Sequence, residues 1–179
     1  MSRWDVVTVS RVIPAAPEEI FALIADPARH RDIDGSGTVR SATDVPAQLS
    51  LGATFGMDMQ FGPTYSMVNT VIEYEPNRRL AWQARPPVFT RHFFGGRIWR
   101  YVLEPVADGT RVSETWDISQ EKNKVLVRPY RVKARRDMTA TLERIEHLLA
   151  GENTAEKRGE TPRTAPDPAP DPAPGMNGG

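Results

Sequence analysis

The sequence predicts an α+β domain in which a curved antiparallel sheet of about seven strands wraps one long C-terminal helix, with two short helices after the first strand. Three observations carry this prediction. Over residues 129–149, Tyr130, Ala134, Met138, Leu142, Ile145 and Leu149 fall within one arc of about 120° at helical spacing, with Lys133, Arg136, Thr139, Glu143 and Glu146 opposite. Between residues 39 and 118, six runs rich in β-branched and aromatic residues are separated by compact turn signals. After Ala150 the composition changes to proline, alanine and acid, which sets the domain at 1–150 and a disordered tail at 151–179.

Taken in order, Trp4 to Ile13 alternates Val7, Val9 and Arg11 against Val6, Thr8 and Ser10, the pattern of a strand that Pro14 stops. Pro17, Glu18 and Glu19 open a helix whose apolar side is Ile20, Phe21 and Ile24, and residues 28–33 suffice for a short second helix. Asp34-Gly35-Ser36-Gly37 reads as a turn. A phosphate-cradling loop needs more glycines, a lysine and a following helix, whereas a strand follows here. Strands are then expected near 39–44, 53–61, 65–75, 79–85, 97–105 and 111–118, and their short links imply antiparallel neighbours. Pro129 suits the first turn of the long helix and Gly151 its end; about 21 residues give roughly 30 Å, enough to span the domain.

Alternation assigns an inner face. Phe55, Met57, Met59 and Phe61 share one side of their strand, and a turn at Gly62-Pro63-Thr64 that pairs Phe61 with Tyr65 adds Tyr65, Met67, Asn69 and Val71. Val68, Ile72 and Tyr74 leave the inward face of 65–75 ambiguous. Later strands contribute Leu80, Trp82, Trp99, Tyr101, Leu103, Val112, Glu114 and Trp116, all directed at the helix. Such a face is rich in Met, Trp and Tyr. These side chains suit adaptable contact with an apolar guest, and equally fill the gap between a bent sheet and one helix.

Two charged residues lie on this apolar surface. Glu114, between Val112 and Trp116, is either a polar anchor or acid/base group in a cavity wall, or a structural carboxylate paired with an arginine or turned to the rim. Arg131, seven residues before Met138, either meets an anion or Glu114, or snorkels at the open end. The histidines at 30, 92 and 147 show no metal-site spacing, and the serines fall in no nucleophile-elbow pattern. His92 sits in an apolar stretch, 86–96, which reads as a flap over a cavity mouth or as a strand extension.

Composition excludes several classes. With no cysteine, disulfides and thiolate chemistry are absent, as expected in a reducing compartment. The first ten residues lack a signal-peptide pattern and no apolar run reaches membrane-span length, so a cytoplasmic protein without integral membrane association is expected. The 23 basic and 23 acidic residues leave 20 against 18 within the first 150, which gives no general argument for nucleic-acid binding. No cofactor and no metal is expected, a homodimer stays open, and any guest of the Met- and aromatic-rich face would be a hydrophobic small molecule.

The element order resembles the START-like, or Bet v 1-like (SRPBCC), helix-grip superfamily, and within it the bacterial polyketide cyclase/dehydrase-like proteins. The resemblance is carried by AAPEEIFALIADP at 15–27, VIEYEPNRRLAW at 71–82, WRYVLEPV at 99–106, GTRVSETW at 109–116 and the final helix. One departure is Arg29-His30-Arg31-Asp32-Ile33, without the tryptophan that many relatives place there. The resemblance implies a ligand cavity between sheet and helix, for lipids, polyketides or aromatic molecules. On this chain that cavity would be lined by Phe55, Met57, Met59, Phe61, Tyr65, Met67, Trp82, Trp99, Tyr101, Glu114, Trp116, Tyr130, Arg131, Ala134 and Met138. It transfers no catalytic motif. A cyclase, aromatase or dehydratase would draw on Glu114, Tyr101 or Asn69 for proton transfer, and a third branch of the superfamily, the Hsp90 activators, would use the sheet exterior and the tail.

Overall fold

The computed structural model describes residues 4–86 and 94–157, with side chains to 152. The expectations for His92 and for the tail from 158 onward lie outside the described residues. Strands β1 (Val6–Ile13), β2 (Val39–Thr43), β3 (Thr54–Gln60), β4 (Thr64–Glu75), β5 (Arg79–Arg85), β6 (Arg97–Val106) and β7 (Gly109–Asp117) form one antiparallel sheet in the order β1-β7-β6-β5-β4-β3-β2. Helix α1 (Pro17–Ile24) starts with Pro17, and Glu19 accepts a hydrogen bond from the Ala16 amide at 2.8 Å, satisfying one of the donors that a helix start leaves open. A 3-10 turn (Pro27–Arg29) then runs into α2 (His30–Ile33), and α3 (Lys124–Val127) and a second 3-10 turn (Arg128–Tyr130) lead into the long helix α4 (Arg131–Lys157).

The helix differs from the expected 129–149 at both ends. Pro129 sits in the 3-10 turn ahead of it, and at the other end the helix passes through Gly151 to Lys157. Gly151 has a helical backbone and open space around it. A mid-helix glycine costs about 1 kcal/mol relative to alanine, too little by itself to end a helix. Seven residues assigned to the tail are therefore helical.

Strand β4 resolves the ambiguity of its two interleaved apolar patterns by a bulge. Val71 pairs with Trp82 but Glu73 pairs with Ala81, so Ile72 is an extra residue in the ladder. Before the bulge Met67, Asn69 and Val71 face inward; after it Tyr74 does, its ring edge-on to Phe21 at 5.6 Å. The β3–β4 register also differs: Tyr65 lies opposite Met59, not Phe61, and residues 61–63 form the loop. The slip is by two positions, so every side chain keeps its face.

The core is uneven along α4. Its C-terminal half, Leu142, Ile145 and Leu149, packs into a solid cluster with Ile20, Phe21 and Ile24 of α1, Ile33, and Leu80, Leu103 and Val112 of the sheet. Arg11 on β1 fixes the same half from the side, with Nε 2.6 Å from the Glu146 carboxylate and Nη1 3.7 Å from Glu143. The N-terminal half carries Ala134 and Met138, which with Val7, Trp116, Ile118 and Val127 form a smaller cluster. The space left between the sheet and this half of the helix is a cavity.

Candidate functional site: a cavity between sheet and helix

A cavity of about 620 Å³ occupies the space where the two halves part. Its floor is a cross-strand row on β5, β6 and β7: Trp82 pairs with Trp99 and Trp99 with Trp116, with Tyr101 and Glu114 directly opposite one another in the next inward row. Side chains so placed have their β-carbons about 5 Å apart, close enough for their polar ends to meet. Met57, Met59, Phe61, Tyr65, Met67 and Asn69 of β3, β4 and their loop form one wall. Tyr130, Lys133, Ala134, Asp137, Met138 and Thr141 form the roof.

The remaining wall comes from α2 and the turn after it. His30 is buried, and its Nε2 lies 2.9 Å from the Ile24 carbonyl. A carbonyl only accepts, so Nε2 carries the proton and Nδ1 is the ring's acceptor. The ring stacks on Trp82 at 5.1 Å, and burial pushes its pKa below the ordinary histidine value, keeping it neutral. Asp34 caps the following turn: Oδ1 accepts from the Ser36 amide and hydroxyl, and Oδ2 from the Val39 amide at 2.7 Å. Gly35 docks this turn on α4. A β-carbon there would lie 2.1 Å from the Asp137 carbonyl oxygen and 2.4 Å from the Thr141 amide nitrogen, and the Gly35 amide donates to the Thr141 hydroxyl at 3.1 Å. The Asp-Gly-Ser-Gly turn is thus a clasp between α2, β2 and the long helix.

Glu114 is the chemically distinctive group. It is 3 % exposed, Tyr101 hydrogen-bonds its carboxyl, and Oε2 is buried with no hydrogen-bond partner. Loss of hydration raises its pKa to about 8 against the Tyr101 hydrogen bond, and the Asp34 and Asp137 carboxylates add to the rise. Around neutral pH it is therefore chiefly a neutral carboxylic acid, able to donate as well as accept. Tyr101 is held well above the ordinary phenol pKa by its own burial and by Glu114, so it too stays protonated. Two neutral hydrogen-bonding groups thus stand together on an otherwise apolar floor.

Of the residues singled out from the sequence, Met57, Met59, Phe61, Tyr65, Met67, Asn69, Trp82, Trp99, Tyr101, Glu114, Trp116, Tyr130, Ala134 and Met138 line this space. Two do not. Phe55 is on the inward face but lies beneath the wall, its ring edge-on to His30 at 5.8 Å and to Trp82 at 5.9 Å; α2 covers it and takes its place. Arg131 does not meet Glu114. At the first turn of α4 its guanidinium lies over the Trp4 ring, 5.1 Å from the centroid, and is not part of the cavity lining. The arginine salt bridge considered for Glu114 is likewise absent among the described residues. Lining residues that periodicity did not mark include His30, Asp34, Arg97, Lys133, Asp137 and Thr141. Lys133 and Asp137 form an ion pair at 2.5 Å along the flank of α4, a side that helical phase alone assigns to solvent. Among the described residues no group of three or more His, Asp or Glu side chains is placed to hold a metal ion, and no helix is long and apolar enough to cross a membrane.

The family model described as "Polyketide cyclase / dehydrase and lipid transport" matches residues 5–150, from the first strand to the last buried turn of α4. The chain belongs to this family. Its fold recurs in solved structures at low identity: a Rhodobacter sphaeroides protein (TM-score 0.64, 19 % identity, covering 84 % of this chain and 95 % of that one) and the Polyketide_cyc-like protein Cgl2372 of Corynebacterium glutamicum (0.58, 23 %, 83 % and 93 %). DynU16, a protein of the dynemicin biosynthetic locus, is similar over 82 % of this chain and 47 % of its own (0.54, 17 %). In sequence the chain is 40 % identical over 113 residues to the uncharacterized protein Rv0088 of Mycobacterium tuberculosis, covering 62 % of this chain. It spans about half the length of that relative, the match covering 46 % of it.

Proposed function

We propose that this member of the polyketide cyclase/dehydrase and lipid transport family binds a hydrophobic small molecule, of lipid-, polyketide- or aromatic-like character, between the sheet and the N-terminal half of α4. The observation that carries the reading is a cavity of about 620 Å³ whose lining includes four methionines and three tryptophans. That volume falls in the range of small-molecule sites, and flexible thioethers beside broad rings adapt to an irregular apolar guest. The Tyr101–Glu114 pair supplies one polar point on the floor, where a carbonyl or hydroxyl oxygen of the guest would be met. Native mass spectrometry of the purified protein, followed by denaturing extraction, tests this. A stoichiometric hydrophobic adduct that Met59→Trp abolishes is the expected result. Failure of the protein to carry or take up any apolar molecule, including an added hydrophobic fluorophore, would refute it.

One observation favours an enzymatic variant of this reading. A neutral carboxylic acid beside a neutral phenol on an apolar floor is suited to stabilise charge developing on a carbonyl oxygen, as in enolisation, cyclisation or dehydration of a poly-ketone. A carrier in which Glu114→Gln is introduced changes affinity and has no turnover to lose; an enzyme keeps binding and loses turnover.

A further inference from the structure

The mouth of the cavity carries a feature that holding a ligand does not require. Phe61, Tyr65, Phe94, Leu126 and Tyr130 line the cavity and at the same time present large apolar surface to solvent, Leu126 being 56 % exposed and its neighbour Val125 77 % exposed. Phe61 and Tyr130, from the β3–β4 loop and the turn before α4, pack edge to face at 6.4 Å, so the rim is one contiguous surface. Apolar rims of this kind mark interaction sites.

The segment that supplies Leu126 and Tyr130 to this rim is strongly basic. From Lys122 to Arg136 the chain carries seven lysines and arginines and no acid, although its formal net charge is zero. Lys133 lies over the Phe61 ring at 5.7 Å, and Asp5 ties Lys124 and Arg128 at 3.6 and 3.0 Å, which anchors the rim to the residue just before β1. With Asp5 and Asp137 set against the run, a clear cationic excess remains. Apolar side chains interleaved with cations match an anionic bilayer surface, in which the former enter the acyl boundary and the latter meet phosphate headgroups. A nucleic acid would use the cations and leave the apolar rim exposed. A two-fold copy would set the cationic run against itself.

We propose that the cavity mouth, formed by α3, the turn before α4 and the β3–β4 loop, docks on an anionic lipid surface. This rests on the geometry of the mouth and not on what the cavity holds. The test is vesicle co-sedimentation of the full chain. Phosphatidylcholine vesicles containing about a third phosphatidylglycerol should retain the protein, pure phosphatidylcholine should retain at least about tenfold less, and raising NaCl from about 0.1 M to about 0.5 M should weaken binding severalfold. The double variant Val125→Asp/Leu126→Asp, and independently Phe61→Ser, should lose about tenfold in vesicle affinity, whereas Leu51→Asp, an exposed apolar residue outside the cavity lining, should change nothing. All four positions are solvent-exposed, and circular dichroism verifies folding. The proposal is overturned by absence of binding to anionic vesicles, by indifference to the rim variants, by equal binding to a DNA oligonucleotide, or by a dimer that the rim variants dissociate. Uptake of a hydrophobic fluorophore in vesicle-free solution separates the two readings. Vesicle binding without uptake leaves docking standing and the cavity reading refuted; uptake without vesicle binding does the reverse.

Discussion

Replacing Glu114 with glutamine should stabilise the protein, and more so at higher pH. In the unfolded chain the carboxyl ionises near its ordinary value of about 4.5, whereas in the fold it holds its proton to about pH 8. Between those values the folded state binds more protons than the unfolded state, so the free energy of unfolding falls as pH rises. Working the linkage through these two values gives a loss on the order of 3 kcal/mol between about pH 5 and about pH 8, with little further change above. Glutamine keeps the shape and the hydrogen bond to Tyr101 and removes the titration. The His30 pKa is shifted the other way, so wild-type stability also declines on the acid side as pH falls through the ordinary histidine value. Subtracting the wild-type profile from the variant's cancels that contribution.

The assay is urea unfolding at several pH values, followed by tryptophan fluorescence, with thermal scans in parallel. The variant should gain over wild type by about 3 kcal/mol more at pH 8 than at pH 5, which corresponds to roughly 6 to 12 °C in melting temperature for a domain of this size. Parallel profiles for the two proteins would refute the argument. They would mean that Glu114 ionises at its usual pH in the fold, and hence that it is hydrated or paired, and the neutral-acid role on the cavity floor would fall with it.

Other substitutions test the remaining joints of the site. Gly35→Ala forces a β-carbon against helix backbone that has no way to yield, and should cost about 2 to 4 kcal/mol in urea unfolding; Gly37→Ala, which meets open space at φ +66°, should cost only about 1 kcal/mol. His30→Leu breaks the bond to the Ile24 carbonyl and the stack on Trp82. It should lower stability by about 2 to 3 kcal/mol at pH 7.5 and flatten the acid limb of the pH profile, as titration-dependent melts would report. Met59→Trp fills the cavity from its wall and should weaken uptake of a hydrophobic fluorophore at least about tenfold while leaving the melting temperature within a few degrees of wild type.

Strand order and the inward residues were legible because each depends on a local period. Trp82, Trp99 and Trp116 had to share a face once their strands paired in sequence, and the two-residue slip in the β3–β4 register could not move Met57 or Tyr65 off it. What escaped depends on contacts that no period encodes. Arg131 has the right phase for the stripe, but phase says nothing about where along the helix the cavity stops; Phe55 has the right parity, but parity does not say that α2 will cover it. His30 and Asp34 sit in a segment too short to show a period, and they reach the cavity only because Gly35 lets their turn press on α4. The Ile72 bulge has a signature in the sequence, two apolar patterns out of phase by one, which is legible as a bulge once both are taken as real.

The stripe of α4 also contains the reason for a cavity. Its C-terminal half presents Leu142, Ile145 and Leu149, branched side chains that close against α1 and the sheet. The N-terminal half presents Ala134, with a single methyl, and unbranched Met138 above a floor of three tryptophans. Rigid rings facing a small residue cannot interdigitate to the density of a solid core, and the nearby polar groups, Glu114, Lys133 and Asp137, disfavour collapse onto them. Arg11, held by Glu146, and the Gly35 clasp fix the helix at the height its larger residues set. The cavity half is thus propped open by the solid half. Enlarging Ala134 to leucine should fill volume without displacing the helix, and an apolar probe that binds the wild type should then be excluded; retention of full binding by a folded Ala134→Leu protein would place the ligand elsewhere.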